Sequence, residues 1–524
     1  MSDNASMSSN WQQWHDTTQL QRLKHYAEYT DPALMVDPLN GGLGMVDNVS
    51  AVTRDYQSLG AVLLNNLAAK MAGMLFPVNQ PNFRIQISDA MQQRASDRKN
   101  WDSIQLQTAV AALERKACNR LFLGNSYTKL QRAIKLCITV GECLIYRDAE
   151  SGGLVVWNRH SYSVKRDPLG RVWKIILKQI FDPNTMPSLL EGFPIDEYRK
   201  RDKVELYTQV EYKDSPIEGA ARIVSITHEV DGKEVPTATV VPEHLSPMFI
   251  ASWTVQDGEH YGRGLVENFS GDFARLSALS HNIAMYEVDS LTALRLVSPA
   301  STNNLDEYVN ARIGDYVAGN DSNGPALSSF DPGDYNKINA VNQSIAAISQ
   351  RLAQAFMYGG MQRDSERTTA TEVSLVAKEA DQALGGAYSQ LAQTLQAPLA
   401  YLTMSELGDD IMSGLIGEHF KPAIVTGVQA LARSADTQKL LELAQLAQTI
   451  PILTQVDSTL DAGKILSRIA SNAGVSLDDF RKSAEQLQQE AQAAAQQAQA
   501  QSAASTALIN NAQQAQEGLN NGGI

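Results

Sequence analysis

Apolar positions recur along this chain with two different periods, and the changes of period divide it. Leu59, Leu63, Leu67, Met71, Met74 and Leu75 fall on one face of a helix that Pro77 stops. Asn65, Asn66 and Lys70 interrupt that otherwise apolar segment, while Gly60, Ala68, Ala69, Ala72 and Gly73 let a neighbouring helix approach. Trp101, Ile104, Val110, Leu113, Ala117 and Leu121 repeat the pattern, so the chain to about Leu136 reads as helical. From Glu142 to about Trp253 the period becomes two, in β-branched runs such as GLVVWN, VELYTQVEY and ARIVSITHEV. This is an antiparallel sheet region, with Asp167-Pro168-Leu169-Gly170 as a hairpin turn. A helical pattern returns at Val266 and is expected to run through Leu296, carrying Phe269, Phe273, Leu276, Ile283 and Val288. Residues 301–333, rich in Asn, Asp, Ser, Gly and Pro, interrupt it as a small irregular insertion.

The next helix has the most informative pattern. Ile338, Val341, Ile345, Ile348, Leu352 and Ala355 form one apolar stripe at spacings of three and four. The opposite face carries Asn336, Asn339, Gln343, Ser344, Gln350 and Gln354, and Arg351 is the only formal charge between Ile338 and Met357. A solvated helix face normally carries more charge, and a buried one fewer amides. The loop MYGGMQRDSER follows, and Thr369 with Glu372 makes a capping box that opens a further helix. That helix carries Val373, Val376, Leu384, Leu391, Leu395 and Leu402, with a kink expected at Gly385-Gly386 or Pro398. Residues 431–466 read as helical, and the Ala/Gln-rich stretch from Ser483 to Gln516 has too few large apolar residues for a core of its own.

Composition narrows the reading. A formal charge of −14 over 524 residues excludes a protein that coats nucleic acid with a basic surface. It permits one that a polyanion passes through, because tight phosphate contacts would act as brakes. Cys118, Cys137 and Cys143 lie in apolar contexts without CxxC spacing and read as buried reduced thiols, which points to a reducing compartment. MSDNASMSSN has no signal-peptide pattern, and no apolar run reads as a membrane span.

The chemistry of catalysis is missing from the motifs. Gly232-Lys233-Glu234 and Gly463-Lys464-Ile465 lack the hydroxyl residue and upstream glycine of a phosphate loop. Gly41-Gly42-Leu43-Gly44 has no preceding strand, so it reads as a loop. The eight histidines form no metal spacing, His281 reads as a packing or lining residue, and no nucleophile elbow occurs. Neither an enzyme nor a cofactor is expected.

Four stretches, SLGAVLLNNLAAKMAGMLFP (58–77), SYSVKRDPLG (161–170), DGEHYGRGLVENFSGDFARL (257–276) and ERTTATEVSLVAKEADQALGGAYSQLAQTLQAPL (366–399), carry a resemblance, with a weaker fifth at 424–440. In this order they resemble the head-to-tail connector, or portal protein, family of short-tailed bacteriophages (podoviruses). The first thirty residues and the Ala/Gln tail carry no such motif, and residues 181–239 match only in general pattern.

The resemblance implies an α+β, mainly α, fold assembling as a homo-oligomeric ring of roughly twelve subunits around a central channel. Its parts would be a wing (1–267), a first stem helix (268–296), a clip (297–333), a second stem helix (334–357), a channel loop (358–368), a kinked helix returning to the wing (369–426), a crown (427–487) and a tail (488–524). Gln343, Gln350, Arg351, Gln354, Gln362, Arg363 and Arg367 would line the channel, and Tyr308, Tyr316 and Phe330 would face an adaptor or motor from the clip. The implied partners are double-stranded DNA without sequence specificity, capsid protein, the terminase motor, a tail adaptor and internal core proteins. The implied location is the virion portal vertex, after synthesis in the bacterial host cytoplasm. Two other classes compete. Another ring-forming virion protein, an adaptor or internal core component, would usually be shorter, and an ATP-driven DNA translocase would need the missing phosphate loop.

Overall fold

The computed structural model describes residues 6–39, 56–77, 82–85, 103–122, 126–185, 197–198, 203–215, 222–236, 238–291, 294–297, 306, 310, 320–321, 324–325, 327–330, 335–358, 384, 386–407 and 424–425. The chain divides into two compact units, 1–432 and 433–524, and every described residue belongs to the first. The sequence expectations for the crown, the tail, the capping box at Thr369 and the glycine loop at Gly41 lie outside the described residues.

The helices α1 (Met7–Trp14), α2 (Thr17–Glu28), α3 (Leu59–Leu75), α4 (Ser103–Leu121) and α5 (Ser126–Val140) build the helical side of the first unit. α3 is almost wholly apolar, and its Leu63, Leu64, Leu67, Met71 and Leu75 are fully buried. They pack on Leu130, Ile134 and Cys137 of α5 in the largest core cluster. All three cysteines are buried and free, as expected.

The period-two region folds as two antiparallel sheets. β1 (Arg84–Ile85) pairs instead with the distant β15 (Ile424–Val425). β2 (Glu142–Arg147), β3 (Leu154–Trp157) and β10 (Met248–Ser252) form one sheet, in the order β10-β2-β3. The other runs β4 (Tyr162–Arg166), β5 (Val172–Phe181), β6 (Val204–Lys213), β7 (Ile223–Val230) and β8 (Lys233–Glu234), with β9 (Thr239–Pro242) also on β7. Leu144 and Ile250 of the first sheet pack with Val164, Ile175, Val210 and Val224 of the second. The expected hairpin turn stands between β4 and β5: Gly170 has φ +79°, and the Asp167 carboxylate accepts from the Leu169 and Arg171 amides.

Where the chain leaves the sheets, backbones come too close for side chains. A Cβ on Gly262 would lie 2.6 Å from the Gly141 carbonyl oxygen, and one on Gly141, at φ +101°, would lie 2.2 Å from that of Gly262. This close crossing explains the YGRG stretch. Beyond it come α6 (Leu265–Asn268) and α7 (Ser270–Leu291).

The helix expected to continue through Leu296 ends at Leu291. Leu294–Val297 is strand β11, paired antiparallel with β14 (Leu327–Phe330), while β12 (Asn320–Asp321) and β13 (Gly324–Pro325) form a small hairpin between them. The apolar residues Leu294 and Leu296 satisfy both periods, and pairing with a strand some thirty residues away decides between them. α8 (Tyr335–Ala355) then runs back.

The expected kinked helix is described from Gly386 onward, and it changes form within that stretch. Gly386, in the left-handed region at φ +83°, caps α9 (Ala387–Leu391), and a π-helical segment (Ala392–Gln396) joins it to α10 (Ala397–Glu406). Pro398 cannot donate to the carbonyl four residues back and its ring crowds it, so the wider π turn lies where the proline requires it.

Candidate functional site

The candidate site is the pair α7 and α8. Their flanking strands β11 and β14 run antiparallel, so the two helices run in opposite directions. Their shared base is aromatic: Phe356 of α8's end meets Phe273 edge-on at 5.8 Å and Phe269 at 6.2 Å, and Tyr29 of the α2 end stacks on Phe273 at 6.0 Å. Leu276, Ile348 and Leu352 extend this packing, all buried. Burial then declines away from the base. Met285 and Val288 of α7 are 53 % and 59 % exposed, and Asn339 and Ala340 are exposed on α8. The hairpin is rooted in the core at one end, and among the described residues exposure rises towards the other.

The stripe expected on α8 is the one that packs. Ile348 and Leu352 are buried and Ile338, Val341, Ile345 and Ala355 are half-buried. The amide face is exposed at Asn339, Asn342, Gln343, Gln350 and Gln354, with Ala346 and Ala347 between them. Arg351 is exposed too, but it is not a free cation: its Nε donates to Asp272 of α7 at 2.8 Å and its Nη2 to the other carboxylate oxygen. Asp272 neutralises this single charge, so the exposed face of α8 beyond Ile338 is electrostatically quiet. Gln362, Arg363, Arg367, Tyr308 and Tyr316 lie outside the described residues, and Phe330 is placed only by its backbone, opposite Leu294.

The segment that returns from α8 is fastened from several sides. The Gln396 Nε2 donates to the Leu75 carbonyl at 2.8 Å and to that of Asn82, tying the π segment to the end of α3. The Thr394 hydroxyl accepts from the Ser252 amide of β10 at 3.2 Å. Glu406, at the end of α10, takes a two-pronged bond from Arg147, with Nε at 2.7 Å and Nη2 at 2.9 Å, and a third from Arg120 Nε at 3.1 Å. Sequence gives no sign of these partners, because Glu406 and Arg147 lie in different elements without a shared pattern.

A second buried charge centre lies where the sheets meet α6. The Glu142 carboxylate, wholly buried, accepts from the Gly262 amide at 3.0 Å and the Tyr162 hydroxyl at 3.4 Å, with Arg166 at 3.4 Å. The Arg159 guanidinium lies 3.7 Å from the Tyr261 ring centre and 3.9 Å from Glu142. Burial, then the Glu142 charge, pushes the Tyr162 phenol well up. The group is filled by its own partners and offers no substrate an approach. Among the described residues, no three His, Cys, Asp or Glu side chains are arranged to hold a metal ion, and no described helix is long and apolar enough to cross a membrane.

This architecture meets its relatives at family level. Residues 5–480 match the family described as bacteriophage head to tail connecting protein. This chain belongs to that family. It is 40 % identical over 514 residues to the portal protein of Pseudomonas phage phiKMV, covering 96 % of each chain. The portal protein of Enterobacteria phage SP6 is 32 % identical, with 91 % of this chain and 90 % of that one covered, and that of Escherichia phage T7 is 29 % identical, with 89 % and 86 % covered. As a connector it is a virion component that serves genome packaging and ejection between head and tail.

Proposed function

We propose that this chain forms the ring at one capsid vertex through which double-stranded DNA enters and later leaves, and that α7 and α8 form the wall of its channel. In this reading residues 1–267 are the wing, α7 and α8 the two stem helices, β11–β14 the clip, residues 358–368 the channel loop and α9–α10 the return into the wing. The crown and tail would follow from residue 427. The terminase motor, and after it the tail adaptor, would dock on the clip. Capsid and internal core proteins would contact the rest, after synthesis in the host cytoplasm.

One observation carries the channel reading: from Ile338 onward the exposed face of α8 presents amides and alanines, and its one cation is already paired with Asp272. Each phosphate neutralised by a free Lys or Arg adds salt-dependent affinity, with a slope of roughly −0.9 per contact in log–log form. A helix face without free cations lets DNA slide. The test is to add them. Gln343→Lys, Gln350→Lys and Gln354→Lys together should leave rings visible by electron microscopy but slow packaging, with the slowing relieved by salt. Packaging at the normal rate in such rings would remove α8 from the channel wall.

A further inference from the structure

Lys70 stands out in the sequence only as a polar interruption of an apolar helix, and its side chain meets the far end of α8. There the Met357 amide donates to the Gln354 carbonyl at 3.1 Å and the Tyr358 amide to that of Ala353 at 2.7 Å. This pair of bonds is the Schellman turn, whose left-handed residue is ordinarily glycine because a Cβ crowds the neighbouring carbonyl. Here that residue is Met357, at φ +54°. Glycines stand only two and three positions further on, at Gly359 and Gly360, so the chain turns before it reaches the residues that turn most easily.

The Lys70 Nζ, reaching across from α3, donates to the Met357 carbonyl at 2.6 Å. An ammonium at this point also meets the negative end of the α8 dipole. Lys70 is half-buried, and among the described residues no carboxylate forms an ion pair with it. Burial lowers its pKa, consistent with an ammonium that has given up part of its water.

We propose that Lys70 is a positioning residue: its ammonium pins the left-handed turn at Met357 and thereby sets the direction in which the chain leaves α8 for the loop assigned above to the channel. The functional half of this inference rests on that assignment. Without the ammonium, Met357 relaxes to the right-handed conformation, and α8 frays or continues into the loop. The clamp would make α3, deep in the helical core, the element against which the loop is braced.

The test uses full-length rings carrying Lys70→Met, Lys70→Arg, or Lys70→Met with Met357→Gly. Hydrogen exchange of the Met357 and Tyr358 amides is followed together with genome retention in heads built from the same proteins. Lys70→Met should raise exchange at these two amides about tenfold and release genomes early. Lys70→Arg should restore both, and so should Met357→Gly, because glycine holds the turn unaided. Unchanged exchange in Lys70→Met overturns the clamp, and so does faster exchange spread evenly along α3 and α8, which marks lost packing. A rise confined to the turn with normal genome retention supports the clamp and overturns the channel assignment of the loop.

Discussion

Glu406 shows how much can hang on one carboxylate. It is 3 % exposed and Arg147, its main partner, 1 %, so each charge has exchanged water for the other. Removing the sole partner of such a charge costs about 3–5 kcal/mol, but Arg120 still holds Glu406 when Arg147 is lost, so the cost lies at the lower end of that range. Arg147→Met should lower stability by about 3 kcal/mol in denaturant unfolding, and pairing it with Glu406→Leu should recover much of the loss. Gly262 is another single-residue constraint. Gly262→Ala should cost about 3 kcal/mol or more, because its methyl group would meet backbone and not a yielding side chain. Cysteine burial is legible in the sequence from the apolar residues around each thiol. The partners of Glu406 and Glu142 are not, since a carboxylate beside a strand or at a helix end looks the same whether water or arginine faces it.

At the scale of elements, period predicts most of the helices and the sheet region but not its division into two sheets, because β2 and β10 are buried on both faces. It fails where pairing is remote. The end of α7 and the start of β11 share one apolar pattern, and only β14 separates them. Docking of α1 is equally hidden: Met7 and Trp11 are buried against Ile176 and Tyr207 of the large sheet, far along the chain. That docking titrates. His15 closes α1 and stacks on Trp11 at 4.1 Å; burial first, and then the Arg159 charge, lower its pKa from 6.5 to about 4. His160, Lys178 and Asp37 also face it, and Asp37 alone acts in the opposite sense. The folded chain therefore binds fewer protons than the unfolded chain between these values, and stability is lost as pH falls from 6.5 towards 4. The loss should be on the order of 2–3 kcal/mol. Tryptophan emission on acid titration should report it, and His15→Phe, which keeps the stack but cannot take a proton, should flatten that part of the profile.

For the whole molecule, an acidic chain whose α8 carries a quiet face should hold DNA weakly. The affinity of intact rings for duplex DNA should be low and should change little with salt; a steep salt slope would reveal free cations facing the DNA and count against the channel proposal. The amide face is legible from residue types and spacing alone, but what it faces depends on neighbouring copies that one chain does not supply. A different constraint follows from Glu229, whose buried carboxylate accepts from the Met7 amide at 2.6 Å, the Ser6 hydroxyl at 2.8 Å and the Ser8 amide at 3.2 Å. The cap that α1 needs at its start thus lies 222 residues downstream of Met7. A ribosome makes the first helix long before it makes the residue that holds it. The beginning of the chain must wait for β7, and it closes over the sheet as a late step of folding. Chains arrested during synthesis before residue 229 should leave residues 6–15 open to protease, and slightly longer ones, once β7 has left the ribosome, should protect them.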